Sequence, residues 1–460
     1  MRSETPYQDT NKLLATQHYP QRNSQSLARV LRYFFIALFA FISFYIALYP
    51  GYMSGDSLQQ YTQSLTHNYN DWHPPIMAGW WSVLNLFFHG PQGLLFFHLV
   101  LLWGCLAGLA IYFRAKKTAG LFLLIGFVPW IANFEGLLWK DMGMAYSLLV
   151  ACTLIIVTKT KNVTATLMII ATMLYAFMVR ANAFFAIIPI FWLFIRYLRP
   201  HARFLPTILY TLILLVIFQA CAYVINYKII HAYKKNPEQF ILVDDLVHMS
   251  LLVNKNLLPF VEMDIIKNCA KVPTSLFCIR QTPRPNSKKY SSKDWQQINR
   301  LWLKAVVENP IAYLSFRTDR FLNLMQINRK TPFYTTPFCI EPNSLGLVKS
   351  TNILTSRYES VIHRSVHLVP LLFKPYFWLF FSVISVILSL FLSGDGKTIL
   401  CIRMLVLSSL LYILGYFPLA PAADFRYIYW SILAINLAVV LFFVSDKVHL
   451  ALSFKKRTVA

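Results

Sequence analysis

The sequence predicts an all-α polytopic membrane protein, and three observations predict it. Of 460 residues, 57% are hydrophobic and 13% charged, about half the charge of an ordinary soluble domain. The mean hydropathy is +0.50. The apolar residues fall in long runs whose flanks carry Lys and Arg, and the basic flanks alternate along the chain.

The runs place spanning helices near 28–49, 92–113, 119–134, 141–157, 163–180, 183–198, 205–226, 366–392, 398–418 and 425–444, about ten in all. Each is close to the length a bilayer requires, and several in the middle are short. The stretch 163–198 is nearly continuous, interrupted by Arg180-Ala-Asn182. Arg22, Arg29 and Arg32 precede or open the first run, and Arg114, Lys116 and Lys117 follow the second. Lys159 and Lys161, then Arg196, Arg199 and Arg203, fill alternate gaps beyond, and Lys455, Lys456 and Arg457 close the tail. All fall on one side of the same threading. This is the positive-inside pattern, and it predicts two cytoplasmic termini.

The threading divides the chain into a basic cytoplasmic N-terminus at 1–27 and a seven-helix transmembrane module at 28–226, with a first outer loop at 50–91. An extracytoplasmic α-rich region at 227–365 follows, then three C-terminal helices within 366–444 and a basic cytoplasmic tail at 445–460. In the outer region Trp295, Ile298, Trp302 and Ala305 recur at helical spacing. After Asn309-Pro310, the residues Tyr313, Arg317 and Phe321 share one face of a second helix. The polar run 280–294 reads as an exposed loop.

The formal net charge is +24, which in a soluble protein would suggest nucleic acid. Here the basic residues flank apolar runs or lie in one extramembrane region, so lipid headgroups and orientation account for them and no nucleic-acid partner is expected. Cys105, Cys152, Cys221 and Cys401 sit inside apolar runs as packing residues. Cys269 and Cys278 are able to bridge if their region is oxidised, and no Cys/His zinc spacing occurs. Polar sequence runs to about residue 27, which argues against a cleavable signal peptide.

Ionisable groups at membrane depth are costly and ask for a reason. In this threading they gather on the outer side: Asp56, Asp71 and His73, then Glu135, Lys140 and Asp141, then Arg180 and Asn182, and last Asp424 and Arg426. Asp56 follows Gly55 and opens a helix; Asp56 with Gln59, or Ser57 with Gln60, fits a capping box, and otherwise Asp56 is placed to act as a general base. Asp71-Trp-His73-Pro-Pro75 reads as the polar start of an interfacial helix with Trp80 and Trp81 at the headgroups, or as a substrate-positioning turn. Lys140 beside Asp141, with Glu135 nearby, is a heavy load for a short turn, although Lys140 can snorkel and Trp139 can anchor the interface. Arg180, between two apolar runs, wants an anion, and phosphate is the natural one. Asp424 and Arg426 fit a local ion pair on the same face. Arg317 and Arg320 read as solvated or lipid-facing, with substrate contact as the other reading. Carboxylates that activate a nucleophile and cations that hold a phosphate thus converge on one face, as glycosyl transfer from a polyprenyl-phosphate sugar requires.

Pro50-Gly-x-x-x-x-Asp56-Ser57, Asp71-Trp-His-Pro74, Trp139-Lys-Asp141, Arg180-x-Asn182 and Asn309-Pro-x-x-Tyr313-x-x-x-Arg317 also resemble an uncharacterised bacterial family of multi-pass proteins. That family is similar to the GT-C glycosyltransferase superfamily. The resemblance spans about 28–444 and implies a bacterial inner membrane, a seven-helix module, a polyprenyl-phosphate donor and an essential acid in the first outer loop, the position that Asp56 matches. It does not extend to an Asp-x-Asp, Glu-x-Asp or Asp-Glu pair at Asp56, so a divalent metal has no clear ligand motif. The Trp-Trp-Asp signature of oligosaccharyltransferases is also missing.

The expected reaction is an inverting transfer to an extracytoplasmic glycan, lipid or protein. Asp56 takes the acceptor proton, Lys140, Arg180 and Arg426 face the departing phosphate, and Asp71 and His73 position the substrates. Glu135, Asp141, Asn182, Arg317 and Asp424 complete the candidate substrate contacts. The rival readings are a flippase or transporter for a lipid-linked sugar, which would want charged or broken helices near the midplane, and another outward-facing transferase, such as a polysaccharide ligase or polymerase or an acyltransferase.

Overall fold

A computed structural model of the chain describes residues 19–158, 162–272, 274–282, 290–328, 333 and 335–451. Lys159, Lys161, the tail cations at 455–457 and positions 283–289 of the expected loop lie outside them. The described chain is mostly helical, with almost no strand. The first half contains α1 (Tyr19–Leu48), α2 (Gly55–Thr66), α3 (Pro75–Leu84), α4 (Gln92–Tyr112), α5 (Leu121–Phe127), α6 (Pro129–Ala132), α7 (Lys140–Val157), α8 (Val163–Val179), α9 (Ala183–Leu198) and α10 (Phe204–Val224). The outer region holds α11 (Gln239–Leu252), α12 (Met263–Cys269), α13 (Ser275–Gln281), α14 (Ser292–Gln296), α15 (Ile298–Glu308) and α16 (Pro310–Leu324). The chain finishes with α17 (Ile353–Leu368), α18 (Pro375–Leu390), α19 (Gly396–Leu414), α20 (Tyr416–Leu419) and α21 (Tyr429–Val444).

Among the described residues, six segments are long and apolar enough to cross a membrane: Ser26–Leu48, Gln92–Tyr112, Lys140–Val157, Phe204–Ile229, Gly396–Leu419 and Phe425–Val444. Lys117–Phe127, Val163–Val179, Ala183–Leu198 and Pro375–Leu390 are apolar but shorter. Prolines shorten two of the expected runs. The continuous helix expected at 119–134 breaks where Val128 turns extended (ψ 130°) ahead of Pro129, because the residue before proline is pushed out of the helical region. The helix expected at 366–392 begins only at Pro375, after Lys374 turns extended in the same way. The residues ahead of it form a separate helix, α17.

Among the described residues, the connections around Arg29, Arg114, Lys397 and Asp446 meet at one end of the helices. Arg114 donates to Ser26 Oγ (3.0 Å), and Arg29 donates to the Arg114 carbonyl (3.2 Å). Lys116 pairs with Asp446, and Lys397 donates to the Ile156 carbonyl (3.1 Å). The short strands β1 (Leu392–Gly394) and β2 (Val448–Leu450) pair antiparallel there, Ser393 opposite His449. The intervening connections meet at the opposite end. Two helices fill the centre: α21 buries Trp430, Leu433 and Leu437 completely, and Ser408 of α19 accepts from Trp430 (2.9 Å) and donates to the Ala186 carbonyl (2.6 Å).

The region after α10 has its own core of Val243, Leu246, Ile266, Leu276, Ile279 and Ile298. Ala305 joins it and Trp295 and Trp302 pack against it, so the helical repeat read there faces inward. A disulfide, Cys269–Cys278, ties α12 to α13. Cys105, Cys152 and Cys401 are buried, Cys221 is half-buried and Cys339 is exposed.

Candidate functional site

The site starts from how the first outer segment is laid down. Gly51 takes φ +109° and a side chain there would meet Leu138 at 2.7 Å, so only glycine fits. The backbone then runs beside the turn ahead of α7: Tyr52 N donates to the Gly136 carbonyl (2.7 Å) and Leu138 N to the Tyr52 carbonyl (3.1 Å). Its other neighbour is the segment before α17, where Met53 N donates to the Cys339 carbonyl (3.0 Å) and Glu341 N to the Met53 carbonyl (2.9 Å). Side chains lock the same seam. Trp139 Nε1 donates to Ser54 Oγ (2.8 Å) and Ser57 Oγ to the Leu138 carbonyl (2.8 Å).

This seam places Asp56 in the first turn of α2. The capping-box reading fails here: Ser54 is the N-cap residue, without a side-chain cap bond, and the Gly55 amide is taken by Glu341 Oε2 (2.8 Å). The Asp56 carboxylate is therefore free to face the cations around it. It is half-buried; Oδ2 lies 3.4 Å from Arg426 Nη2 and Oδ1 lies 4.0 Å from His73 Nε2. Burial pushes its carboxyl up, but Arg426, Lys140, His73 and Arg180 together outweigh burial and hold it below its ordinary value. His73 is 5% exposed. Burial, aided by Lys140, pushes its imidazole down to about 4 against the pull of Asp56.

Arg426 is the hub. Its Nε lies 2.8 Å from Asp424 Oδ2 and its guanidinium rides 4.1 Å above the Trp139 ring. Its Nη1 is buried without a hydrogen-bond partner among the described residues, as is His73 Nδ1. Arg180 sits alongside because α8 ends there in extended backbone. Its Nε lies 3.2 Å from Asp141 Oδ1 and 3.1 Å from Asn182 Oδ1, and its Nη2 donates to Tyr416 (3.0 Å). Tyr416 and Tyr427 stack (centroids 5.2 Å apart), and Arg180 lies over Tyr427 at 4.9 Å. Lys140, at the start of α7, acts electrostatically on Asp56 and Asp141 but makes no hydrogen bond or ion pair with the described residues. The arrangement is a half-open carboxylate ringed by guanidinium and ammonium groups, some with unused donors, which suits an oxyanion.

Of the sequence candidates, Asp56, His73, Lys140, Asp141, Arg180, Asn182, Asp424 and Arg426 come together. Three do not. Asp71 accepts from Tyr227 (2.8 Å) and from the Lys235 amide (2.5 Å), pinning the outer loop to the chain after α10. Glu135 is fully buried behind the site, accepting from Trp103 Nε1 (3.1 Å); burial pushes its carboxyl well up. Arg317 is neither solvated nor lipid-facing: it is fully buried, pairs with Asp245 at 2.7 Å and donates to the Ala420 carbonyl (3.3 Å). Arg320 pairs with Asp244 at 2.6 Å. A helix needing to bury against α11 has drawn both cations inward onto acids of that helix. Trp81 is likewise buried against Tyr61 (centroids 5.0 Å apart) and does not reach a headgroup.

Two residues at the site escaped the sequence reading. Glu341 carried no local motif, and only the pairing of its segment with Met53 brings it to Gly55. Tyr416 lay inside an apolar run, where a tyrosine reads as packing. Among the described residues no group of three or more His, Cys, Asp or Glu gathers as metal ligands. A cavity of about 330 Å³, lined in part by Lys116, Lys397 and Asp446, lies at the other end of the helices. Comparison with known proteins adds no relative: no protein-family profile, curated protein or solved structure matches this chain.

Proposed function

We propose that this is a membrane glycosyltransferase of GT-C-like organisation that moves a sugar from a polyprenyl-phosphate donor to an extracytoplasmic glycan, lipid or protein, with inversion. One observation carries the reading: Asp56, half-open at the end of the helices, faces Arg426 and lies within the field of Lys140, Arg180 and His73. In the proposed reaction Asp56 accepts the acceptor hydroxyl proton as that oxygen attacks the anomeric carbon. The bond to the lipid phosphate breaks, and the phosphate leaves with the bonding pair. Arg426, whose Nη1 has no hydrogen-bond partner among the described residues, and Lys140, which makes no hydrogen bond or ion pair with them, neutralise it.

Two features support an outward-facing site with both termini cytoplasmic; placement in a bacterial inner membrane rests on the resemblance alone. Arg29, Arg114 and Lys116 share the opposite end, as the positive-inside rule expects of a cytoplasmic face. The Cys269–Cys278 disulfide belongs to a region continuous with the site end, and disulfides persist in oxidising compartments. The ionisable cluster sits at helix ends, which favours a transferase over a flippase whose charges would lie near the midplane.

The test is mass spectrometry of lipid-linked sugars and surface glycans in cells carrying the wild-type chain or Asp56→Asn, with membrane levels matched. Accumulation of a polyprenyl-phosphate sugar and loss of one surface sugar in the mutant supports the reading and names the substrate. Unchanged pools in cells that express the protein would sink it and favour transport of another ligand.

A further inference from the structure

We propose that α17 is an interfacial helix that lies on the bilayer surface at the Asp56 end, with aliphatic side chains in the acyl boundary and Arg357 and Arg364 on lipid phosphates. The inference is independent of the glycosyltransferase reading. It needs only that the apolar helices span a bilayer.

Both ends of α17 are fixed at the level where spanning helices stop. At its start, Asn352 Nδ2 donates to the Ile46 carbonyl (3.0 Å) and Thr355 Oγ1 to the Ala47 carbonyl (2.5 Å). These are among the last carbonyls of α1, which have no partner within the helix. At its finish, a single 3₁₀ turn, Pro370–Phe373, leads straight into the apolar α18. Sixteen residues at about 1.5 Å each span about 24 Å. A rod held at both ends at interface depth runs along the membrane plane and not through it.

The face it leaves uncovered has the pattern an interface selects. Ile353, Arg357, Val361, Arg364 and Leu368 are all exposed, and their spacing of four, four, three and four puts them on one stripe. Ile353 and Leu368 are 74% and 73% exposed and Val361 58%, so three aliphatic side chains share one uncovered stripe, the kind of surface that marks a membrane contact. The only acid in the helix, Glu359, points the other way, accepting from Tyr52 (2.8 Å) and Lys349 (2.8 Å). Arg357 and Arg364 pair with nothing among the described residues. Aliphatic groups interleaved with unpaired guanidinium groups match a phosphate-bearing apolar surface. The stripe also continues an existing lipid-facing surface, since α1, on which α17 packs, exposes Ile42 and Ile46.

The experiment uses the full chain reconstituted in phosphatidylglycerol–phosphatidylcholine vesicles. Cys339→Ser removes the exposed thiol, and a nitroxide is attached through Val361→Cys or Leu368→Cys, with Lys255→Cys, on the exposed outer region, as the water-facing control. Collision rates with oxygen and with a water-soluble nickel chelate report depth. The expected result is oxygen-dominated relaxation at 361 and 368 and nickel-dominated relaxation at 255. Adding Arg357→Gln and Arg364→Gln should lower the oxygen-to-nickel ratio at 361 at least twofold. Nickel-dominated relaxation at 361 and 368 overturns the proposal. So does exclusion of both reagents with dipolar broadening between labels, which would mean that a second copy covers the stripe. A ratio unmoved by the glutamines removes the phosphate contact.

Discussion

Arg426 Nη2 and Asp56 Oδ2 lie 3.4 Å apart although 370 positions separate them in the chain. The same guanidinium reaches Asp424 and stacks on Trp139, so one side chain joins the first outer loop, the turn before α7 and the approach to α21. A planar fork over an aromatic face is a geometry that lysine cannot copy.

Loss of Arg426 should be visible in the titration of its partner. Burial raises the Asp56 carboxyl and Arg426 is foremost among the charges that lower it. Arg426→Gln should therefore move the acid limb of the pH–activity profile to higher pH, because less Asp56 is ionised at a given pH. Arg426→Lys should move it less. Sugar transfer measured across pH in membranes checks this, and an unmoved acid limb in the glutamine variant would count against Asp56 as the base.

The buried His73 predicts an acid-sensitive fold. Its imidazole is held down to about 4, against about 6.5 in an unfolded chain. The unfolded state thus binds the extra proton first. The stability this contributes is complete above 6.5 and is lost as pH falls from there towards 4, by about 3 kcal/mol at most. Thermal midpoints of the purified protein should fall between pH 7 and 4.5, and His73→Gln should flatten that fall. Equal slopes for the two proteins would refute the assignment.

Arg317 belongs to architecture. With Asp245 it forms a pair in which both side chains are essentially unexposed, and removing one partner strands a charge. Arg317→Met should destabilise the outer region by about 3–5 kcal/mol, read as faster trypsin cleavage after residue 227. The double variant Arg317→Met/Asp245→Leu should recover much of the loss. If the single variant instead keeps its protease resistance and loses transfer, Arg317 touches substrate after all.

Cys339 offers a sidedness test. It is exposed, and its carbonyl bonds the Met53 amide in the seam that carries Asp56. A membrane-impermeant maleimide should label it in intact spheroplasts, and Cys339→Ser should abolish the labelling. Labelling confined to inside-out vesicles would reverse the proposed orientation of the site.

Much of this was legible in the sequence because bilayers impose length and charge rules on short windows. The apolar runs at 92–113, 141–157 and 425–444 correspond closely to helices, and of the basic groups read from the sequence Arg29, Arg114 and Lys116 meet at one end. Pro129 and Pro375, visible in the sequence, cut two runs that hydropathy averages had joined. The candidates Asp56, His73, Lys140, Arg180 and Arg426 were found because ionisable groups beside apolar runs are conspicuous.

What the sequence by itself determined is therefore the helical membrane class and the stock of charged groups at helix ends. Tertiary structure alone decided which of those groups meet. Glu341 reaches Gly55 only through the backbone pairing of its segment with Met53, and Arg317 turns inward only because α11 offers Asp245. The reason is physical: burial of an apolar run depends on its own composition, whereas a charge finds its partner across hundreds of residues, where neighbouring sequence carries no record of the distance.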